Sequence, residues 1–282
     1  MIFNIRNIFG LFILLISLNA HSWNALGHMV VAQIAYNNLN HSAKQQVDTL
    51  LNEFSTEYSD IDKFYLLGPW ADTLRSQKIE SYNHWHYTDH PFTDDESPLV
   101  DIVDTDNAVW AIEKMVPVIA NKKAKTIERA RFMAFLTHVV ADLHQPLHTS
   151  SRISKEHPYG DLGGNLYYVK YPESKPKKIA LHKLWDQGVD IFLAKANEEN
   201  MLSLVNSITA EFPKSYFGEK VLDIDPNNWA QEGLKISISV VYDTPQNKLP
   251  SSKYISNGKK LAKMQVALAG YRLAEELNYL FA

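Results

Sequence analysis

Hydrophobic positions recur along this chain at helical spacing. In residues 25–39, Val30, Ile34 and Ala35 fall in line, as on one helix face. Residues 43–54 repeat the pattern, with Ser42 placed to cap their N-terminus. Residues 106–120 follow and carry Pro117 late, where a kink or an end is expected. The strongest periodicity runs from 126 to 143, where Ile127, Ala130, Ala134, Phe135 and Val139 make a stripe. Segments 202–211, 227–242 and 256–280 complete the set. Residues 236–242 are rich in β-branched side chains and also fit a strand, but their place inside a longer amphipathic run favours helix. Two polar segments interrupt the helices. Residues 88–105 are rich in Asp and Pro, and residues 150–178 hold Gly160, Gly163, Gly164, Pro172, Pro176 and a lysine cluster. In the 160–172 region, residues 166–171 read as an arm of a short β-hairpin. With no internal repeat and no dividing linker, the pattern predicts a single all-α domain.

The first residues follow a different pattern. Arg6 precedes an apolar run from 8 to 18, broken only by Gly10 and Ser17, and Ala20 and Ser22 then occupy the −3 and −1 positions of a small-residue cleavage site. Residues 1–22 therefore read as a secretory signal, leaving a mature domain of residues 23–282 that begins at Trp23. An uncleaved anchor is the other reading, although the run is short for a membrane span. No later run of about 18 apolar residues occurs. The expected location is secreted or periplasmic.

Composition narrows the chemistry. The chain has no cysteine, which excludes disulfides, Cys-ligated zinc, iron–sulfur clusters and thiol nucleophiles. Its 28 Lys and Arg stand against 32 Asp and Glu, a net charge of −4. That argues against a broad basic face for duplex nucleic acid. Phosphate chemistry on this chain would need another source of positive charge. Histidine is abundant, at 11 residues.

Several of those histidines stand at metal-ligand spacing. The segment His138-Val-Val-Ala-Asp142-Leu-His144-Gln-Pro-Leu-His148 places His138 and Asp142 four apart, on one helix face, where they can hold one ion together. Pro146 breaks the helix, so His148 can turn to a second ion. His182 and Asp186 repeat the four-residue spacing. Asp72 follows Trp70-Ala, His84 and His86 flank Trp85, and His28 lies five residues after Trp23. One such pair alone is more often a surface pair or a satisfied core histidine. Imidazole and carboxylate without thiolate suit Zn²⁺, with Mn²⁺ or Co²⁺ also compatible.

In order and identity these residues resemble the S1/P1 nuclease family of zinc-dependent secreted nucleases. The match is carried by Trp23, His28, Trp70-Ala-Asp72, His86, the segment from His138 to His148, Asp161-Leu-Gly-Gly-Asn165 and Leu181-His182-Lys-Leu-Trp-Asp186. The last third of the chain matches only as helices. The resemblance implies a helical fold shared with zinc phospholipase C and three Zn²⁺ per chain. One ion would sit on Asp72, His86, His138 and Asp142. A second would take the free amine and carbonyl of Trp23 with His28 and a bridging Asp142. A third would take His148, His182 and Asp186. His86 is preferred to His84 because an aromatic, Tyr87, follows it, and His144 is assigned a supporting role.

The implied reaction is hydrolysis of single-stranded DNA and RNA to 5′-phosphorylated products, with removal of the 3′-phosphate of 3′-nucleotides. The catalytic residues would be Asp72 and Asp142, which hold a zinc-bound hydroxide, and Arg75 on the phosphate. Tyr87, Asp89 and Asn165 would bind the base. The clustered ions would replace the missing basic groove. A monomer without a stable protein partner is expected. Competing readings are a zinc-dependent phospholipase C and a non-enzymatic zinc-storage protein. Lysines 170, 175, 177 and 178 read as a solvated loop, with a strand contact as the alternative.

Overall fold

The computed structural model describes residues 23–102, 105–171 and 178–282. The expected signal segment, Pro172, Lys175, Pro176 and Lys177 lie outside the described residues. Asn24 opens the first helix by accepting from the Gly27 N–H, and α1 spans Ala25–Asn37. Helix α2 spans His41–Glu57. Its cap is Asn40, whose side chain accepts from the Ala43 N–H, and not Ser42. Ser42 lies in the first turn and donates its hydroxyl to the Phe281 carbonyl (2.7 Å). Two short helices follow, α3 (Phe64–Leu67) and α4 (Trp70–Ser76), then a 3₁₀ turn, Asn83–His86. Strand β1 is His90–Thr93 and helix α5 is Ala108–Ala120, capped by Asn107. Pro117 does not end α5, which continues for three residues.

Helix α6 spans Thr126–Asp142 and corrects the expected stripe. Every residue from Met133 to Asp142 is buried, so its C-terminal half is enclosed on all sides. A 3₁₀ turn at Pro146–His148 leads into β2, Ser150–Ile153. β1 and β2 pair in parallel, with His90 opposite Ser150, a pairing the hydrophobic pattern did not predict because four-residue strands show too little periodicity. The predicted hairpin arm is present as β3, Tyr168–Lys170, but its partner is β4, Lys178–Ala180, beyond the expected region. Lys170 and Lys178 thus face each other on paired strands.

The remaining elements are α7 (Leu181–Asp186), α8 (Glu198–Glu211), α9 (Lys214–Phe217), a 3₁₀ turn (Gly218–Leu222), α10 (Pro226–Ile236) and α11 (Ser252–Leu280). α10 passes into a π-helical stretch, Ser237–Val241. The β-branched segment is therefore helical, as the longer periodicity indicated. The main core joins α1, α2, α5, α6, α8 and α11 through Ile34, Phe54, Met115, Leu136, Ile208 and Leu273. A smaller cluster around Leu147, Val169, Trp185 and Tyr242 lies beneath the β3–β4 hairpin. No described helix is long and apolar enough to cross a membrane.

α1 and α11 approach closely at Gly270. A Cβ there would lie 2.6 Å from Ile34 Cβ and 3.0 Å from the Val31 carbonyl. Gly270→Ala is expected to destabilise the fold by about 1–3 kcal/mol through overpacking. A fall in the urea midpoint at unchanged m-value checks this, and an unchanged midpoint would contradict it.

Candidate metal centre

The last turn of α6 carries His138 and Asp142 on one face because they stand four residues apart. Asp142 is fully buried, a costly position for a carboxylate unless positive charge meets it. Three imidazoles meet it. His28 Nε2 lies 3.4 Å from Oδ1, and His86 Nδ1 and His138 Nε2 lie 3.0 and 3.1 Å from Oδ2. α1 delivers His28, stacked on His138 with ring centres 4.0 Å apart. The 3₁₀ turn before β1 delivers His86. Asp72 on α4 comes within 3.8 Å of His138 Nε2.

The third cluster forms where α6 gives way to the Pro146 turn. His148 Nε2 lies 3.9 Å, and His182 Nε2 3.5 Å, from Asp186 Oδ1. Among the described residues, three groups thus bring ligand atoms within 4.8 Å of one another: His28, His138 and Asp142; Asp72, His86 and His138; and His148, His182 and Asp186. All eight side chains expected as ligands fall in these groups.

Backbone carbonyls set the orientation of the rings. The Nδ1 groups of His138, His148 and His182 donate to the carbonyls of Gly68 (2.6 Å), His86 (2.6 Å) and Gly163 (2.7 Å). A carbonyl only accepts, so each Nδ1 carries a proton and Nε2 is the atom turned to the centre. His148 Nε2, His182 Nε2 and Asp72 Oδ1 are buried without a hydrogen-bond partner. Buried polar atoms in that state are costly, and a shared cation answers them. The all-nitrogen-and-oxygen donor set fits zinc or a similarly borderline divalent ion.

A family model described as S1/P1 Nuclease matches residues 23–282. The chain belongs to the S1/P1 nuclease family. It is 24% identical to Endonuclease 1 of Arabidopsis thaliana over 98% of this chain and 92% of that protein. It is 24% identical to Nuclease S1 of Aspergillus oryzae over 92% of this chain and 91% of that protein. Nuclease P1 of Penicillium citrinum is 23% identical over 91% of this chain and 97% of its own length.

Other expected residues of this family member are placed as follows. Trp23 is buried, with its indole N–H donating to the Ala141 carbonyl (2.9 Å), so the expected mature N-terminus adjoins Asp142. The Asn24 N–H donates to the Asp186 carbonyl (2.9 Å), tying the same segment to the third group. His84 is exposed and pairs with Asp106 at 3.2 Å, whereas His86 joins the centre. Asn165 lines a groove with Asp72 and Asp186, while half-buried Tyr87 and Asp89 do not line it. Arg75, one turn after Asp72, is close enough to His182 to lower its basicity. His144 lies outside all three groups. Its Nδ1 donates to the Val140 carbonyl (2.8 Å) and its Nε2 accepts from Arg272 (3.1 Å).

Sequence reasoning missed the supports. The Gln145 amide donates to Asp186 Oδ1 (2.8 Å) while its carbonyl oxygen accepts from the Leu147 N–H (2.7 Å). Ser237, in the π-helical stretch, donates to the Pro146 carbonyl (2.8 Å). Gln265 of α11 donates to the His144 carbonyl (3.2 Å), and Arg272 also forms a two-pronged pair with Glu232. Gly163 and Gly164 have φ of +59° and +79°, and a Cβ at Gly163 would collide with the Leu147 carbonyl. Gly68 is equally constrained, since a Cβ there would lie 2.6 Å from the His28 carbonyl.

Burial and mutual charge set the titration of the protein alone. Burial, then the neighbouring His138, pushes His28 down to about 3. Burial, then His148, pushes His182 down to about 3. Burial acts the same way on His138, but Asp142 and Asp72 outweigh it and raise that ring to about 9. Burial also drives the Asp186 carboxyl well up. The proton on His138 offsets the buried carboxylates, a part a divalent cation takes over on binding.

The linkage has a definite sign. Below pH 6.5 the unfolded chain protonates His28 and His182, which the fold resists, so stability falls as pH drops toward 3. The His138 contribution is complete below 6.5 and is lost as pH rises through about 9. Chelator-treated protein is therefore expected to show its highest urea midpoint near pH 6.5, with His138→Gln flattening the alkaline decline. A midpoint that climbs steadily to pH 9 would contradict this.

Proposed function

We propose that this nuclease cuts single-stranded DNA and RNA to 5′-phosphorylated products, and also removes 3′-phosphates, at a three-zinc centre. As a family member the chain is a hydrolase of phosphodiester bonds. The observation that carries the finer reading is Asp142, whose two oxygens reach His28 on one side and His86 and His138 on the other. A carboxylate so placed can be shared between two ions.

One ion would be held by Asp72, His86, His138 and Asp142. A second would be held by His28, Asp142 and the amine and carbonyl of Trp23, and a third by His148, His182 and Asp186. When bound, zinc at these positions supplies Lewis acidity toward phosphate and acidifies water toward neutral pH. The protein's part is orientation. Gly68, His86 and Gly163 hold the imidazole rings through their carbonyls, and Gln145 donates to Asp186 Oδ1. Asp72 and Asp142 counter the charge of the centre. Arg75 contacts the substrate phosphate from one turn beyond Asp72, and Tyr87, Asp89 and Asn165 take the base.

Export and cleavage before Trp23 follow from the same reading, since an amine becomes a ligand only after the preceding peptide bond is cut. The monomeric state and the single domain of residues 23–282 belong to this proposal too. A phospholipase C reading draws no support from the relatives, which are named as nucleases.

The test uses mature protein starting at Trp23. It should release 5′-phosphorylated nucleotides from single-stranded DNA and RNA, and Asp142→Asn should lower kcat by at least about a hundredfold. Cleavage of phosphatidylcholine without cleavage of either nucleic acid would overturn the reading. Restoring one residue ahead of Trp23 should remove close to one zinc from the folded protein, measured by elemental analysis. Unchanged zinc content would exclude the amine as a ligand.

A further inference from the structure

A groove of about 560 Å³ runs between α4 and α7 and ends at the metal centre. Asp72 and Asp186, one from each of two ligand groups, line it. Away from them its walls are mixed and mostly uncharged, with Ala25 and Pro69 standing among the polar side chains. Thr73 and Ser76 come from α4, and Asn24 and Gln187 from the opposite side. Lys183 is the one cation among its lining residues. On α7, Lys183 stands beside His182, and Gln187 follows it four residues later, so Lys183 and Gln187 share a face next to the ligand-bearing one. The Lys183 side chain is exposed, and its charge acts on the neighbouring Asp186 carboxyl at the inner end of the groove.

Position and charge together suggest a use. The chain as a whole carries a net charge of −4, and cations held at the centre would meet the phosphate being cut. A polynucleotide carries further phosphates on either side. An ammonium on a flexible stem, at the wall of a groove that ends at the ligand groups, suits such a neighbour. The hydroxyls and amides around it add hydrogen bonds without base preference.

We propose that Lys183 receives the phosphate next to the one being cleaved, making the α4–α7 groove the subsite for the continuing strand and Lys183 the residue that favours polynucleotides over single-phosphate substrates. This rests on the nuclease reading above.

The test compares wild-type, Lys183→Gln and Lys183→Arg zinc-loaded enzymes on two substrates. One is a single-stranded oligonucleotide. The other is a dinucleoside monophosphate, which contains the scissile phosphate and no neighbour. Lys183→Gln should lower the ratio of kcat/KM for the oligonucleotide to that for the dinucleoside by about tenfold, mainly through KM. It should also reduce the salt slope of log(1/KM) for the oligonucleotide by about 0.7, the loss of one phosphate contact. Lys183→Arg should restore both. An unchanged ratio and slope in Lys183→Gln, at wild-type zinc content, would overturn the proposal alone. A wild-type enzyme that cuts neither substrate would overturn the nuclease reading and the proposal with it.

Discussion

Everything in this molecule is arranged around one buried carboxylate. Asp142 sits at the end of a helix enclosed on every side, out of reach of water. Such a group is tolerated only where positive charge or donors surround it. The fold supplies three imidazoles from three separate elements, with His28 on α1, His86 before β1 and His138 one turn back on α6. The requirement to bring those elements together explains close approaches such as that of Gly68 to the α1 backbone. In the protein alone the proton on His138 offsets part of the buried negative charge, and on the proposed reading a bound cation would take over that part.

The C-terminal third acts on the centre from behind. Ser237, Gln265 and Arg272 reach the carbonyls of Pro146 and His144 and the His144 ring, all within the turn that separates Asp142 from His148. Ser237 stands where α10 passes into the π-helical stretch, and its hydroxyl donates to the Pro146 carbonyl there. His144 thereby acts as the link between motif and scaffold. Its Nδ1 proton is fixed by Val140, which leaves Nε2 to accept from the buried guanidinium of Arg272.

Helical spacing made the ligand pairs legible in the sequence. The four-residue spacing puts His138 with Asp142 and His182 with Asp186 on shared helix faces, Pro146 announces the change of direction before His148, and it is their combination and the family resemblance that single them out as ligands. The preference for His86 over His84 rests on resemblance; in the structure the His86 ring is buried beside Asp142 and the His84 ring is exposed beside Asp106. What could not be read were contacts between distant positions. Gln145 meets Asp186 41 residues on, and Ser237 meets Pro146 across 91. Neither residue carries a local pattern. The β1–β2 strands are too short to show a period, and Asn40, two residues before Ser42, offers the same capping chemistry and takes the cap.

The most direct test of the central claim is a crystal structure of the mature zinc-loaded protein with data collected at the zinc absorption edge. Asp142 sharing predicts three anomalous peaks, one at each cluster of His and Asp, with one oxygen of Asp142 bound to each of two ions. A single peak, or several peaks with Asp142 bound to only one of them, would contradict it.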